Sequence, residues 1–368
     1  MNNNPSLLYQ IALTLVPGIG DVFGKKLVLL CGSAEAVFKE PQKLLRKIPR
    51  MGHAIFESLR TKGILERAEK EVEFIHRYHI KTLFFLDKDY PFRLKNCVDG
   101  PLLLYFKGNV NLNFPKVIGI VGTRNATDYG KEICLQLIDG LQTQEVLVVS
   151  GLAYGIDSCA HRVSLEKGLK TVGVLGHGLD RIYPYLNKVL AERMIQNGGL
   201  ITDFISETKP DRENFPMRNR IIAGLCDAIV VIEATQKGGA LITADIANSY
   251  HRDVFAVPGR IGDLYSEGTN NLIKSNKASI IQSAEDIKYM MGWDLPDKKP
   301  LSIQKKIFIE LTTEEQIVTD ILTRLGQLGI DELCIEAKLS MSKVAAALLN
   351  LEFEGIVKCL PGKVYTFT

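Results

Sequence analysis

The sequence predicts an α/β fold built on one extended parallel sheet, with a helical module in front of it and a small module behind. Three observations lead there. Short β-branched runs bounded by glycine alternate with helical patterns from Val117 to His161 (VIGIVGTRNATDYGKEICLQLIDGLQTQEVLVVSGLAYGIDSCAH), which is the pattern of βαβ units. Glycine turns follow at least four of the apparent strands, and in an open parallel sheet such turns line one edge, where ligands bind. A polar, proline-bearing stretch between Trp293 and Leu311 then sets off a last compact segment.

The opening run carries the first functional signal. The strand Val117–Val121 ends in Gly122-Thr123-Arg124 and a helix opens near Thr127. The strand Val146–Val149 ends in Ser150-Gly151-Leu152-Ala153-Tyr154-Gly155 and a helix opens near Asp157. Free backbone N–H groups and the helix dipole favour an anion at such positions, and glycine lets a phosphate approach the backbone. The expected ligand bears phosphate.

Composition narrows the class. The 368 residues are 46% hydrophobic and 24% charged, an ordinary soluble composition with room for two or three domains. A formal net charge of +3 permits nucleic acid as a partner without requiring it. The seven cysteines form no C-x-x-C pair and several sit in apolar runs, so reduced, buried thiols in a cytoplasmic protein are expected. No apolar run approaches the ~18 residues of a membrane span, and the N-terminus lacks a signal pattern.

Residues 7–62 read as small helices. Leu13–Gly20 leads into FGKKLVLLCG, and the shape recurs weakly over Leu44–Leu59. Helix, glycine turn, helix is the outline of a helix–hairpin–helix, whose turn offers N–H groups to a DNA phosphate; a protein-interaction module with tight turns has the same outline. The second copy has one glycine, Gly52. Gly18–Lys25 is not an ATP-binding P-loop: five residues, not four, separate Gly18 from Gly24, and Lys26 stands where the hydroxyl belongs.

A charged helix (Leu65–Tyr78), a strand (Lys81–Leu86) and the apolar run Pro101–Gly108 start the sheet domain near residue 64. His76 and His79 have helical spacing, but no cysteine or carboxylate motif completes a metal set, so solvated histidines are expected. Past His161, Leu169–Leu175 is a strand leading to Gly176-His177-Gly178, Tyr183-Pro184 and a helix from about Asn187; Gly199–Asp203 is another short strand. Phe215-Pro216-Met217-Arg218-Asn219-Arg220 then opens an apolar helix. Two arginines there go against the dipole preference for acids, and a broken local rule points to a site. They either bind phosphate or pair with carboxylates such as Asp203 or Asp227.

The buried strand Ala228–Glu233 runs into Gly238-Gly239 and a helix through Thr243-Ala244. Val254–Pro258 and Ser279–Gln282 complete the sheet. In Thr312–Thr368, three helices (Glu314–Leu325, Ile330–Lys338, Ser342–Glu354) and a hairpin make a winged helix. Winged helices meet DNA through the third helix, which here has one lysine and two glutamates, so protein contact or a structural role is expected.

The order of these elements resembles the DNA-processing protein A (DprA/Smf) family over essentially the whole chain. The run that carries the resemblance is Gly119–Arg124 with Thr127 and Tyr129-Gly130, then Ser150–Ala153, Gly155–Asp157 and Ala160-His161. Phe215-Pro216 with Arg218–Arg220 follows, then Thr243-Ala244, Val257-Pro258-Gly259 and Gly268/Asn270/Leu272-Ile273. Departures are Gly238-Gly239 for a usual Ser-Gly, Thr202-Asp203 for Ser-Glu, and Asn276 for a glycine, a residue that tolerates positive φ. The resemblance implies an extended Rossmann-like parallel sheet flanked by an N-terminal helical (helix–hairpin–helix/SAM-like) domain and a C-terminal winged helix. The expected domains are 1–63, 64–292 and 312–368, with 293–311 a linker.

The resemblance also implies a homodimer that binds single-stranded DNA, takes no cofactor or metal, performs no catalysis, and helps load RecA recombinase in natural transformation. The expected DNA-binding set is Gly122, Thr123, Arg124, Ser150, Gly151, Gly155, Phe215, Arg218, Asn219, Arg220, Gly238, Gly239 and Thr243. Phe215 either stacks on a base, worth ~1–3 kcal/mol, or plugs the core. Asp157 and His161 look like an acid/base pair but suit a helix cap and a turn anchor better. The rival reading is a phosphoribohydrolase-like enzyme, since Gly238-Gly239 before Thr243 resembles that family's glycine loop; no matching glutamate accompanies it in Thr243-Ala244-Asp245.

A chain ending near Leu295 is expected to bind single strands nearly as tightly as the full chain. Fluorescence titration checks this; a loss beyond about tenfold, ~1.4 kcal/mol, would place part of the site in the winged helix.

Overall fold

β3 (Lys116–Val121) is the strand from which the sheet grows in both directions. The structure, a computed structural model, describes residues 5–39, 53–293 and 311–367. β3 pairs in parallel with β4 (Val146–Ser150) on one side and β7 (Ala228–Val231) on the other. Beyond β4 come β5 (Thr171–Val174) and β6 (Gly198–Thr202), both parallel. Antiparallel β2 (Leu103–Gly108) and β1 (Lys81–Phe84) close that edge. Beyond β7 come β8 (Asp253–Ala256) and β9 (Ser279–Ile280). The sheet among the described residues therefore runs β1-β2-β6-β5-β4-β3-β7-β8-β9.

The chain builds outward from β3 to β6, then returns and builds outward again from β7. The order reverses between β3 and β7, and their carboxyl ends flank the switch point at which open α/β sheets bind ligands. Strands β4 to β7 are buried at every position, which explains why they read as continuous apolar runs rather than alternating ones.

The helices open close to where the sequence places them. Asp128–Gly140 starts behind Thr127, whose Oγ1 accepts from the Gly130 N–H at 3.1 Å. Ile156–Glu166, Lys188–Gln196, Asn214–Leu225, Gly239–Ser249 and Glu267–Lys274 follow in order. Asn276 stands at φ 55°, a left-handed conformation that asparagine tolerates. Asn270 forms two hydrogen bonds with the Gly259 backbone, so the Pro258-Gly259 and Asn270 motifs are one structural clasp.

The first helical hairpin, Pro5–Leu15 and Asp21–Cys31, turns at Gly18 with φ +86°. The second copy falls largely outside the described residues, which resume with the helix His53–Leu59. The expected boundary at residue 63 does not separate two compact units: the N-terminal helices and the sheet belong to one. Arg220 helps to join them. It pairs with Asp203 at 2.5 Å and with Asp21 at 2.9 Å, and also donates to the Asp99 carbonyl. Asp21 in turn accepts from the Leu102 N–H at 2.6 Å.

The other unit contains Ser249–Arg252 and the chain from Glu285 onward. The linker expected at 293–311 lies almost wholly outside the described residues. Helices Thr313–Leu325, Ile330–Ala337 and Met341–Phe353 close over Val318, Leu322, Leu333, Val344, Leu348 and Val357. Beside the expected hairpin, β11 (Val357–Leu360) and β12 (Val364–Phe367), a third strand β10 (Gln327–Gly329) pairs with β12. A three-residue strand next to a glycine leaves too little pattern to be read in advance. A capping box between Thr312 and Glu315 starts the first helix. In the third helix, Lys343 is paired with Glu314 at 3.1 Å.

Replacing Arg220 with alanine would leave Asp21 and Asp203 facing each other with their shared cation gone. Breaking a buried pair in this way costs roughly 3–5 kcal/mol. Urea unfolding of Arg220→Ala should show that loss as an earlier midpoint.

Candidate nucleic-acid interface

At the carboxyl ends of β3 and β7 lies a groove of about 880 Å³. Gly122, Thr123 and Arg124, which follow β3, line it together with Gly238, Gly239 and Thr243, which follow β7. Phe215, Arg218 and Asn219 of the helix Asn214–Leu225 line it as well. The structure thus brings together nine of the thirteen residues expected from the sequence. It adds Asn125, Arg212, Lys237 and Tyr265, which the expected set does not contain. Arg212 stands three residues before Phe215 and Lys237 directly before the glycine pair, so a basic residue beside each assigned turn was the available signal. A side chamber of about 80 Å³ adjoins, lined by Arg124, Tyr154, His177, Tyr183, Phe215 and Arg218 among others.

The remaining four residues do not line the groove. Ser150 is fully buried and donates to the Ile120 carbonyl, fastening β4 to β3. A side chain at Gly151 would lie 2.2 Å from the Arg218 guanidinium, so this glycine permits close packing. Gly155 has φ +76°, and a Cβ there would stand 2.2 Å from the Thr123 carbonyl oxygen; Ile156 N–H donates to that same oxygen at 3.1 Å. It supports the Arg124 loop from behind. Arg220 is committed to Asp21 and Asp203, because its place two residues on from Arg218 turns it towards the N-terminal helices. Asp227 pairs with neither arginine: Arg93 holds it through two contacts of 2.6 and 2.8 Å.

The expected phosphate at each helix N-terminus also needs correction, because the chain fills two of these sites with its own carboxylates. Glu233, buried at the end of β7, accepts from the Thr127 N–H at 3.0 Å and from the Thr127 hydroxyl at the start of the helix Asp128–Gly140. A Cβ on Gly130 would sit 2.3 Å from its Oε2, which is why that position carries glycine. Asp157 occupies the second. It is not the cap, a position held by Gly155, but is buried in the first turn and accepts from the Ala153 backbone. Burial raises its pKa, against the pull of nearby Arg218. The helix Gly239–Ser249 has no acid in its first turn, and Asn219 Nδ2 braces its entry on the Gly239 carbonyl at 3.4 Å. That turn presents an uncompensated helix end to the groove.

Cations divide by burial. Arg218 is 5% exposed, donates to the Val174 carbonyl, and forms the groove floor; its Nε has no partner among the described residues. Burial lowers its pKa and Asp157 opposes the shift. Arg124, Arg212 and Lys237 are exposed on the rim. Arg124 places its guanidinium 5.2 Å from the centroid of the half-buried Phe215 ring. Phe215 is therefore accessible from the groove rather than a plug in the core.

His161 anchors the second turn, as its spacing suggests. It is fully buried; Nε2–H donates to the Gly151 carbonyl, and Nδ1 lies 2.7 Å from Thr171 Oγ1. Burial depresses its pKa to about 4. A base held neutral by the fold contributes stability that is present above its unfolded pKa of ~6.5 and is lost as pH falls towards 4. Urea unfolding at pH 7 and pH 5 should differ by about 2 kcal/mol from this residue, a difference that His161→Gln should reduce.

Among the described residues, no helix is long and apolar enough to cross a membrane and no group of His, Cys, Asp and Glu is placed to hold a metal. His76 and His79 are both exposed.

Residues 81–292 match the family described as DNA recombination-mediator protein A, and residues 309–363 match the DprA winged helix domain. The chain is 43% identical over 209 residues to the DNA processing protein DprA of Bacillus subtilis, covering 56% of this chain and 70% of that one. It is 32% identical to the protein Smf of Synechocystis, over 98% of this chain and 99% of that relative. The X-ray structure of DprA from Streptococcus pneumoniae superimposes with a TM-score of 0.63 at 33% identity, covering 77% of this chain and 97% of that one. A structure of DprA from Helicobacter pylori, reported for its single-stranded DNA binding mode, matches with a TM-score of 0.54 at 28% identity, over 59% and 97% of the two chains. With a switch-point groove rimmed by Arg124, Arg212 and Lys237 and a match that runs through the sheet and on into the winged helix, this chain belongs to the DNA-processing protein A (DprA/Smf) family.

Proposed function

We propose that the switch-point groove holds single-stranded DNA, and that the protein serves recombination by protecting such strands and passing them to RecA recombinase. One observation carries the reading. Exposed cations, Arg124, Arg212 and Lys237, line the same groove as an accessible aromatic ring, Phe215, at the sheet edge, while the neighbouring carboxylate Glu233 is taken up in internal contacts and Asp157, which also lines the groove, is buried beside Arg218. Cations that follow a backbone, with a ring for a base, are the parts of a single-strand site that tolerates any sequence. The single-stranded DNA binding mode of the Helicobacter pylori protein supports the choice of strand. The description of the family as a recombination mediator supports the RecA step.

The same reading makes the protein a binder rather than an enzyme. Glu233 is committed to Thr127 and His161 to Gly151, so neither the glutamate that a phosphoribohydrolase would need beside its glycine loop nor the histidine of the Asp157–His161 pair is free to act on a substrate in the groove. A cytoplasmic location follows from work on DNA. Homodimerisation fits the short, exposed edge strand β9, where Ile280 stands open to solvent.

Titration of labelled single- and double-stranded DNA of equal length tests the proposal. The duplex should bind about tenfold or more weakly, because a rigid helix enters a narrow groove less readily than one flexible strand. Arg124→Ala should weaken all sequences alike and make the log–log salt slope shallower by about 0.7. Phe215→Leu should weaken binding with little change in slope, since stacking releases no counterions. A folded Arg124→Ala protein with unchanged affinity and slope would move the site elsewhere.

A further inference from the structure

Two cysteines meet where the helices that follow β3 and β4 pack together. The helix Asp128–Gly140 lies against the helix Ile156–Glu166. Cys134 stands one turn after Lys131 on the first, and Cys159 one turn before Arg162 on the second. The Cys134 thiol is hydrogen-bonded to the Cys159 sulfur across this seam. The two sulfurs differ in access. Cys134 is sealed from solvent, whereas Cys159 is 8% exposed and the flanking Lys131 and Arg162 lie on the surface. Both cysteines are free thiols. The bond that Cys134 donates, with burial behind it, raises the Cys134 thiol well above its ordinary value. The same bond lowers Cys159 to about 7, against burial and with help from the charges of Arg162 and Lys131. Two buried thiols in contact are ordinary core packing when both are sealed. A reachable thiol between two cations, backed by a second thiol, is instead the arrangement of a redox-sensitive pair.

We infer that Cys134 and Cys159 form a peroxide-sensitive dithiol, with Cys159 the sulfur that is attacked by oxidant and Cys134 the one that resolves it into a disulfide. The oxidant is a hydroperoxide. The Cys159 sulfur attacks one peroxide oxygen, the O–O bond breaks, water leaves, and Cys159 carries a sulfenic acid. The Cys134 sulfur then attacks the Cys159 sulfur; the S–S bond forms, the S–O bond breaks, and the hydroxide leaves with the Cys134 proton as water. The two thiols lose two electrons and two protons, and hydrogen peroxide gains them as two waters. The bridge joins helices that open behind the Arg124 loop and behind Gly155, so it bolts together the supports of the sheet edge. The inference is independent of what the groove binds.

The test treats the full chain, folded and reduced, with hydrogen peroxide, then alkylates it in denaturant and digests it with trypsin. No lysine or arginine stands between Lys131 and Arg162, so both cysteines leave on one peptide, residues 132–162. After peroxide that peptide should carry no alkyl group and be two hydrogens lighter than the reduced form; dithiothreitol before alkylation should restore two alkyl groups. The oxidised protein should melt about 5 °C higher, because the bridge restricts the unfolded chain. Cys134→Ala should stop at a sulfenic acid on Cys159 that a dimedone probe traps, and Cys159→Ala should leave Cys134 fully alkylated. The inference is overturned if the parent peptide keeps two alkyl groups while Cys31, Cys334 or Cys359 is oxidised, or if Cys159 passes to sulfinic acid without linking to Cys134. A bridged protein that melts lower than the reduced one would equally overturn the bolt. The parent protein alone decides these outcomes, whether or not the alanine variants fold.

Discussion

The Glu233 carboxylate organises the ligand edge of this sheet. It lies at the end of β7, where the strand order reverses, and reaches across the switch point to the start of the next helix. Its backbone carbonyl accepts from the Thr123 N–H at 2.8 Å and its side chain holds Thr127, so both ends of the Gly122–Thr127 loop hang on one residue. A buried carboxylate is costly unless fully hydrogen-bonded, and the helix N-terminus beside it supplies both donors and favourable potential. Gly130 leaves the room that the arrangement needs. The position of Arg124, exposed over Phe215, follows from this fastening.

The same residue changes the electrostatic logic of the edge. A helix N-terminus attracts an anion, but the anion can be the protein's own. With Glu233 and Asp157 seated at two of the helix starts, the positive groups left without an internal anion are the side chains on the rim and the Gly238–Gly239 turn. The buried arginines have different duties. Arg218 forms the floor against Val174 and Asp157, and Arg220 ties the N-terminal hairpin to the sheet through Asp21 and Asp203. Two neighbouring arginines on one helix thus separate into a groove residue and a structural cross-link. A helix turns ~100° per residue, so side chains two positions apart face nearly opposite sides.

The motif residues divide in the same way. Gly122, Gly151 and Gly155 are required by close packing or left-handed backbone, and Asn270 with Gly259 by a clasp between loops. Their work is to build the edge before it can bind anything. Of the motif residues, Arg124 and Phe215 face the groove, where Arg212 and Lys237 join them from outside the motif.

What the sequence by itself determined was the order and type of the elements, the glycine turns at the strand ends, the three helices and hairpin that make the winged helix, and the family. Each is encoded locally, in apolar spacing, β-branched runs and turn residues. What only the tertiary structure decided was which partners those residues meet. That Glu233 would take the helix end near Thr127, more than a hundred residues earlier, depends on β7 returning beside β3. That Arg220 would be consumed by Asp21 and Asp203 depends on the hairpin packing against the sheet. That Arg212 and Tyr265 would share a rim depends on two loops meeting across the edge. Charge pairing is a property of distance in space, and the strand order that sets those distances is written in no single stretch of the chain.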